Sequence, residues 1–395
     1  MEEQEEPTET GNWRLCASCR ELVTQRFGSS QLPASLAKDE AGDCQLCQGL
    51  FLEVEDFAQL VKKSMEEYEY SSFLLGLVMD QELLEKEKAM AEGLGIEEAK
   101  EGPSRLEKAL KIAIGTRLEE LTAAQAEFER PDVMAILDTR YDDVRLQLSS
   151  IHIYGRYRKL ERGIPQTEWH CRKCRGKGCH YCEFTGKMYQ DSVQELIAGP
   201  VLEVAKGTKA SFHGMGREDI DARMLGNGRP FVLEIKEPKK RTLDYQTLEK
   251  TINEKLTGRV EVEGLRNSDH KEIVKIKGSD HAKRYLVVAS SEKPLDQEEL
   301  KKAITALNGA TIQQQTPKRV KHRRANKVRE RKVYEISARQ TGEMSLEIEV
   351  KGESGIYIKE LIHGDKGRTQ PNLSGLMDNQ CTVESLDVLW VYDEE

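Results

Sequence analysis

The sequence predicts an α+β protein built from more than one domain. Three observations carry that expectation. The 395 residues exceed what a single hydrophobic core ordinarily serves. Short apolar runs suited to strands, such as Pro230-Phe231-Val232-Leu233 and Tyr285-Leu286-Val287-Val288-Ala289, alternate with segments whose apolar residues recur at helical spacing. Two groups of four cysteines, each made of two Cys-x-x-Cys pairs, punctuate the chain.

Composition narrows the class. Charged residues make up 33% and the mean hydropathy is −0.63, as in a soluble protein. The start, with Glu2, Glu3, Glu5 and Glu6, lacks the basic and apolar regions of a signal peptide. The most apolar run, Phe73 to Met79, is too short to span a bilayer and reads as a buried strand. A cytoplasmic protein with no membrane partner is expected. The net charge of −9 is unevenly spread: residues 1–100 hold 22 acids and nine Lys/Arg, the rest 47 and 51. An acidic front and a mildly basic back point to an anionic partner for the back.

The first eleven residues read as an acidic tail. Cys16, Cys19, Cys44 and Cys47 then have the spacing of a zinc ribbon, a structural site because four thiolates close the coordination shell. Two disulfides are the alternative, disfavoured in a reducing cytosol. Residues 51–125 are mainly helical in pattern. Val54, Phe57, Leu60 and Val61 make one stripe, and Leu106, Ala109, Leu110 and Ala113 another, with Ser104 and Glu107 forming a capping box. Strand patterns follow at Val133–Leu137, Val144–Leu148 and Ile151–Tyr154. The basic patch from Gly155 to Gly163 suits RNA contact, although an ordinary basic loop has the same look. Cys171, Cys174, Cys179 and Cys182 form the second quartet, among Arg172, Lys173, Arg175, Lys177 and Lys187; they imply a second structural zinc. Cys381 is left over and reads as a core residue.

From Asp191 the chain reads as one α+β domain. The Gly-rich loop from Gly214 to Arg223 comes first, its carboxylates flanked by Arg217 and Arg223, which would keep an acid ionised. It precedes a strand, so it is no dinucleotide fingerprint. Gly226-Asn227-Gly228 extends the loop reading. A helix is expected near Leu243–Leu256 and another capped by Asp296, with Leu300, Ala303, Ile304 and Leu307 inward and Gly309 at its end. Strands are expected at Tyr285–Ala289, Val333–Ile336, Ser345–Val350, Ile356–Ile358 and Leu386–Val391. Lys318 to Lys332 carries nine Lys/Arg against Glu330 alone, a density that favours nucleic-acid contact.

Four of these stretches together resemble a known family. Gly216-Arg217-Glu218-Asp219 resembles the Gly-Arg-x-Asp motif of pseudouridine synthases. Residues 216–231 are similar to the tenth-family tRNA enzymes of archaea and eukaryotes. Thr316-Pro317-Lys318-Arg319-Val320-Lys321-His322-Arg323-Arg324 and Gly355-Ile356-Tyr357-Ile358-Lys359-Glu360-Leu361 look like two further motifs of that branch, with Ile356 where Thr is usual. His363-Gly364-Asp365 and Gly367-Arg368-Thr369 continue the likeness. The front half resembles the family's zinc ribbon joined to a THUMP-type RNA-binding fold.

The resemblance implies a catalytic domain at 191–395 with a mixed, mainly antiparallel central sheet. Ahead of it would lie a zinc ribbon within 1–50, a THUMP-like domain at 51–167 and a cysteine knuckle at 168–190. It implies isomerisation of uridine at positions 54 and 55 of the tRNA T arm, with no catalytic cofactor, no nucleotide and one or two structural zinc ions, the THUMP-like front binding the acceptor end; a monomer is expected. Asp219 matches the catalytic aspartate, Lys359 its basic partner, Tyr285 the stacking tyrosine and Leu361 the apolar floor. Arg217, Arg319, Arg323, Arg324 and Tyr357 would contact RNA, with help from Arg156–Arg162 and Arg172–Lys177. Asp221 is the rival catalyst. THUMP-type modules also serve methyltransferases and thiolation enzymes, but the Gly-rich cofactor loop of those enzymes is not found here. A non-enzymatic zinc-ribbon tRNA-binding or processing factor is the alternative.

Overall fold

The computed structural model describes residues 13–27, 34–35, 38–93, 104–321 and 325–393, so the acidic tail lies outside the described residues. The chain divides into two compact units. One is residues 1–150 with 236–242; the other is 151–235 with 243–395.

In the first unit, β1 (Arg14–Leu15) pairs with β2 (Ala34–Ser35), and α1 (Ala17–Phe27) lies between them in sequence. Then come α2 (Val54–Met65), β3 (Ser72–Val78), α3 (Gln81–Gly93), α4 (Arg105–Thr122), β4 (Gln125–Ala126), β5 (Val133–Asp138) and β6 (Asp143–Leu148). β3 runs parallel to β4 and β5, and β6 pairs antiparallel on the edge. The Ser104 hydroxyl accepts from the Glu107 amide at 2.9 Å, the expected N-cap, a feature that contributes about 1 kcal/mol to such helices. α4 buries Leu106, Leu110, Ile114 and Leu118, a strict i, i+4 row; Ala109 and Ala113 stay half-exposed beside it. Phe57, Val61 and Met65 of α2 meet that row in the core with Phe73, Leu75, Val133, Ala135 and Leu137.

The second unit is organised on a ten-stranded sheet. Its members are β7 (Ile151–Lys159), β8 (Lys209–Gly214), β9 (Arg223–Lys236), β10 (Val260–Ser268), β11 (Lys283–Ser291), β12 (Thr311–Gln315), β13 (Val328–Gly342), β14 (Ser345–Gly352), β15 (Thr369–Gln370) and β16 (Cys381–Val391). Their order is β10-β7-β9-β16-β11-β14-β13-β12-β15, with β8 on β9. Every pairing along that path is antiparallel except β9 with β16, so the sheet is mixed and mainly antiparallel. Helices α5 (Val193–Ala205), α6 (Tyr245–Lys255), α7 (His270–Gly278), α8 (Gln297–Leu307), α9 (Ile358–His363) and α10 (Leu373–Leu376) complete it. Among the described residues no helix is long and apolar enough to cross a membrane.

Three readings are corrected here, and one helix was not foreseen. The front domain, expected to run to residue 167, ends at 150, because β7 pairs with β9 and β10 of the large sheet. Gly226 and Gly228 lie within strand β9, not in a loop. A Cβ at Gly226 would come within 1.7 Å of the Leu389 carbonyl oxygen, and Asn227 exchanges hydrogen bonds with the Val391 backbone at 2.7 and 3.0 Å. These residues let β16 approach closely. Ile356–Ile358 is not a strand. The Gln314 side chain takes both backbone groups of Tyr357, at 2.8 and 2.9 Å, and the chain turns into α9. The sequence also hid α5, whose interior Pro200 argues against a helix.

Candidate active site

The loop between β8 and β9 is fixed from beneath. The Glu218 carboxylate, 1% exposed, accepts from the Tyr157 hydroxyl at 2.8 Å and from Arg229 Nε at 2.9 Å. Arg229 Nη1 donates to the Met215 carbonyl at 2.7 Å. Gln166 Nε2 donates to the Gly216 carbonyl at 3.0 Å and to the Tyr157 oxygen at 2.9 Å. The fully buried Lys159 ammonium donates to the carbonyls of Ile164, Asp219 and Ile220 at 2.9, 3.2 and 3.1 Å. Burial pulls its pKa down while Glu218 supports the charge. Burial and the Glu218 charge push the Tyr157 phenol well above its usual range, so it remains a donor.

With Glu218 turned inward, Asp219 faces out, its side chain 31% exposed. Arg319 Nη1 donates to Asp219 Oδ1 at 2.8 Å. The other side of the same guanidinium holds Glu360, through Nε at 2.8 Å and Nη2 at 3.3 Å, and Glu360 is 1% exposed. Lys359 Nζ lies 3.6 Å from Asp219 Oδ2 and 2.6 Å from Asp221 Oδ2. Desolvation pushes the Asp221 carboxyl up, but the Lys359 ammonium opposes this and the net position is below the ordinary range. Asp221 is nevertheless 69% exposed. Tyr285, on β11, is buried. Its phenol is pushed up to about 12 by burial, with Arg229 opposing and the Asp219 charge adding to the rise.

The structure therefore brings Asp219, Lys359 and Arg319 together and sets Tyr285 within electrostatic reach of Asp219. Leu361 is fully buried in α9. Tyr357 caps the start of α9, and its buried hydroxyl has no hydrogen-bond partner among the described residues. Arg217 does not flank Asp219 as expected; its guanidinium lies over the Trp169 ring at 5.4 Å. Arg223 is bound to Asp387 at 2.6 Å. Arg323 and Arg324 lie outside the described residues. The cations of the 156–162 segment, expected to meet RNA, are each paired or buried within the fold. Arg156 binds Asp393, Arg158 binds Glu261 and Glu263, Arg162 binds Asp387, and Lys159 is buried.

Sequence reasoning missed Glu218, Lys159 and Gln166 as the loop's foundation. One signal was available. It is the pairing of an acid with a nearby cation in sequence, since Glu218 and Arg229 are only eleven residues apart and a buried carboxylate needs such a partner.

Both cysteine quartets are assembled. In each, the four sulfurs lie within 4.8 Å of one another. The shorter separations are 3.6 Å for Cys16–Cys47, 3.9 Å for Cys171–Cys179, and 3.8 Å for Cys174–Cys182 and Cys179–Cys182. A covalent S–S bond is about 2.05 Å. Tetrahedral zinc with Zn–S near 2.3 Å requires about 3.8 Å between sulfurs. The quartets therefore fit a metal and not disulfides. In the second, the amides of Cys179 and Gly186 both donate to Cys182 Sγ at 3.3 Å, as amides do to a ligating thiolate.

Residues 152–392 match the family model "Pus10, C-terminal", and residues 57–138 match "Pus10 THUMP domain, archaeal". Among curated proteins, the tRNA pseudouridine synthase Pus10 of Halorubrum lacusprofundi is 40% identical over 98% of this chain and 95% of its own length. The protein of that name from Methanocaldococcus jannaschii is 42% identical over 90% and 76%. Among solved structures, a chain of a Cbf5-Nop10-Gar1 complex aligns at 15% identity over 51% of this chain and 46% of its own, with a TM-score of 0.31, too low to carry an argument.

Proposed function

The chain belongs to the Pus10 family, and from that premise we propose that it isomerises uridine to pseudouridine in tRNA, at positions 54 and 55 of the T arm. Asp219 is the catalytic carboxylate in this reading. The reaction exchanges the N1–C1′ bond for a C5–C1′ bond, and the base loses a proton at C5 and gains one at N1. Nothing is oxidised or reduced, so no cofactor is called for.

The single observation that supports the assignment best is the paired approach of two cations to Asp219, Arg319 at 2.8 Å and Lys359 at 3.6 Å. Such neighbours hold the carboxylate in one orientation and aim it. The target nucleotide must leave its stack to reach Asp219, at a cost of a few kcal/mol. Tyr285 offers a ring face, and a phenol that stays protonated at neutral pH, from the strand beside the loop. Leu361 contributes apolar bulk to α9, the helix that carries Lys359. Exposed Lys318, Lys321, Lys327 and Lys332 supply cations for the phosphate backbone. Zinc, where bound, has a structural part only: Cys16, Cys19, Cys44 and Cys47 would hold one ion and Cys171, Cys174, Cys179 and Cys182 another. The enzyme acts as a cytoplasmic monomer in this proposal, with the THUMP-type region holding the acceptor end.

The test is to incubate unmodified tRNA with purified protein and no added cofactor, then map pseudouridine. Conversion at 54 and 55 is expected. Conversion elsewhere overturns the site assignment, and none at all overturns the activity.

A further inference from the structure

The segment from 168 to 189 carries chemistry that Asp219 does not use. Its cysteine quartet closes a tight turn built on glycines that tolerate no side chain. A Cβ on Gly186 would lie 2.5 Å from the Gly176 carbonyl oxygen, and one on Gly178 would lie 2.8 Å from that of Phe184. On the outside of this turn stand the exposed cations Arg172, Lys173, Arg175 and Lys177; the segment's two acids are Glu183 and Glu168, the latter beside His170. Among them, two large rings face solvent: Tyr181 is 54% exposed and Phe184 is 66% exposed. The Lys173 ammonium sits 4.6 Å from the Tyr181 ring centroid, and the His180 ring meets Phe184 edge-on at 4.7 Å.

A merely solvated turn has no use for two exposed rings, and a purely electrostatic patch needs only the cations. The combination matches a single nucleic-acid strand, whose bases stack on aromatic faces while its phosphates meet Lys and Arg. The base of the turn also reaches the catalytic loop. The Met188 amide donates to the Trp169 carbonyl at 2.8 Å, Tyr189 packs edge-on against Trp169 at 5.5 Å, and Arg217 stacks over Trp169 two residues before Asp219.

We propose that the Cys171–Cys182 turn is a metal-held finger for unpaired RNA. It grips nucleotides beside the target uridine, with Tyr181 and Phe184 as stacking platforms and Lys173 and Lys177 on the phosphates. The choice of RNA rests on the tRNA-modifying reading above.

The test uses the full chain and an unmodified tRNA transcript, with metal content as the control for folding. Tyr181→Ala with Phe184→Ala is expected to weaken tRNA binding about 30-fold or more while metal is retained, since each of the two stacked bases is worth at least about fivefold. Lys173→Gln with Lys177→Gln is expected to reduce the slope of log affinity against log salt by about 1.4, at roughly 0.7 per phosphate released. If the alanine pair loses metal, Tyr181→Leu with Phe184→Leu, which keeps bulk without rings, decides on the same reading. Parental affinity in a metal-replete ring variant, or an unchanged salt slope, overturns the finger. The functional reading fails separately, if the parent protein makes no pseudouridine in that transcript.

Discussion

Arg319 donates to Asp219 at 2.8 Å from one edge of its guanidinium and to the buried Glu360 at 2.8 Å from another. Glu360 touches nothing of Asp219 directly. It fixes the fork that does. A planar guanidinium held along one edge presents its free N–H in a single direction, which a lysine cannot do.

Glu360 is therefore a positioning residue. Glu360→Gln is expected to slow single-turnover conversion by about 10- to 100-fold, the scale of a misplaced catalytic group, with tRNA affinity within about twofold. Arg319→Lys should fall in the same range. A parental rate in Glu360→Gln would mean that Arg319 aims itself.

Asp219 and Asp221 share Lys359, so their roles separate only by substitution. Asp219→Asn is expected to reduce conversion by at least about 10³-fold, as when a group acting on the reacting bonds is removed. Asp221→Asn, whose side chain is 69% exposed, should stay within about tenfold. Pseudouridine formed over time in tRNA measures both. The reverse order would move the catalytic assignment to Asp221.

The foundation under the loop has a stability signature. Glu218→Gln leaves Arg229, itself 1% exposed, without its carboxylate partner. Breaking such a pair costs about 3–5 kcal/mol. Tyr157→Phe removes a hydrogen bond to a charged group and should cost about 1.5–3 kcal/mol. Urea denaturation measures both, and equal midpoints for Glu218→Gln and the parent would contradict the burial argument.

Lys283, on β11 two residues before Tyr285, supplies a pH test. Burial and the neighbouring Arg229 pull its pKa down to about 8, from about 10.4 in an unfolded chain. Between those values the unfolded chain binds more protons, so stability climbs as pH rises from about 8 to about 10, and that gain is absent below 8. Above about 10 the Tyr285 phenol acts in the opposite sense, because the unfolded chain loses that proton first. Lys283→Met should abolish the climb and raise stability at pH 7 by up to about 3 kcal/mol. Thermal unfolding across pH 7–10 reads this directly; an undiminished slope in the variant would place its origin elsewhere.

Much of this was legible in sequence because the features are local. Ser104, Asp296 and the cysteine spacings announce two helix caps and two four-cysteine clusters over short stretches, and the structure keeps all of them. Asp219 and Lys359, 140 positions apart, were joined only by resemblance, and the structure brings them within 3.6 Å. What stayed hidden depends on partners distant in sequence. The Arg156–Arg162 cations look free until Asp387, Asp393 and Glu261 fold against them. Gly226 looks like a turn residue until Leu389 approaches it. Arg319 looks like one more cation in a basic run until Glu360 turns it inward.

The parallel pairing of β9 with β16 has a consequence for biogenesis. The sheet member synthesised last is inserted at its middle, between β9 and β11. A nascent chain that has already emerged through β15 still carries two half-sheets with open edges, and the ribosome must deliver Cys381–Val391 before they can join. Contacts this remote in sequence make for slow closure. During that interval the unpaired edges are exposed to pairing with other chains, so a premature stop codon ahead of Cys381 would yield an aggregating fragment and not a smaller working enzyme.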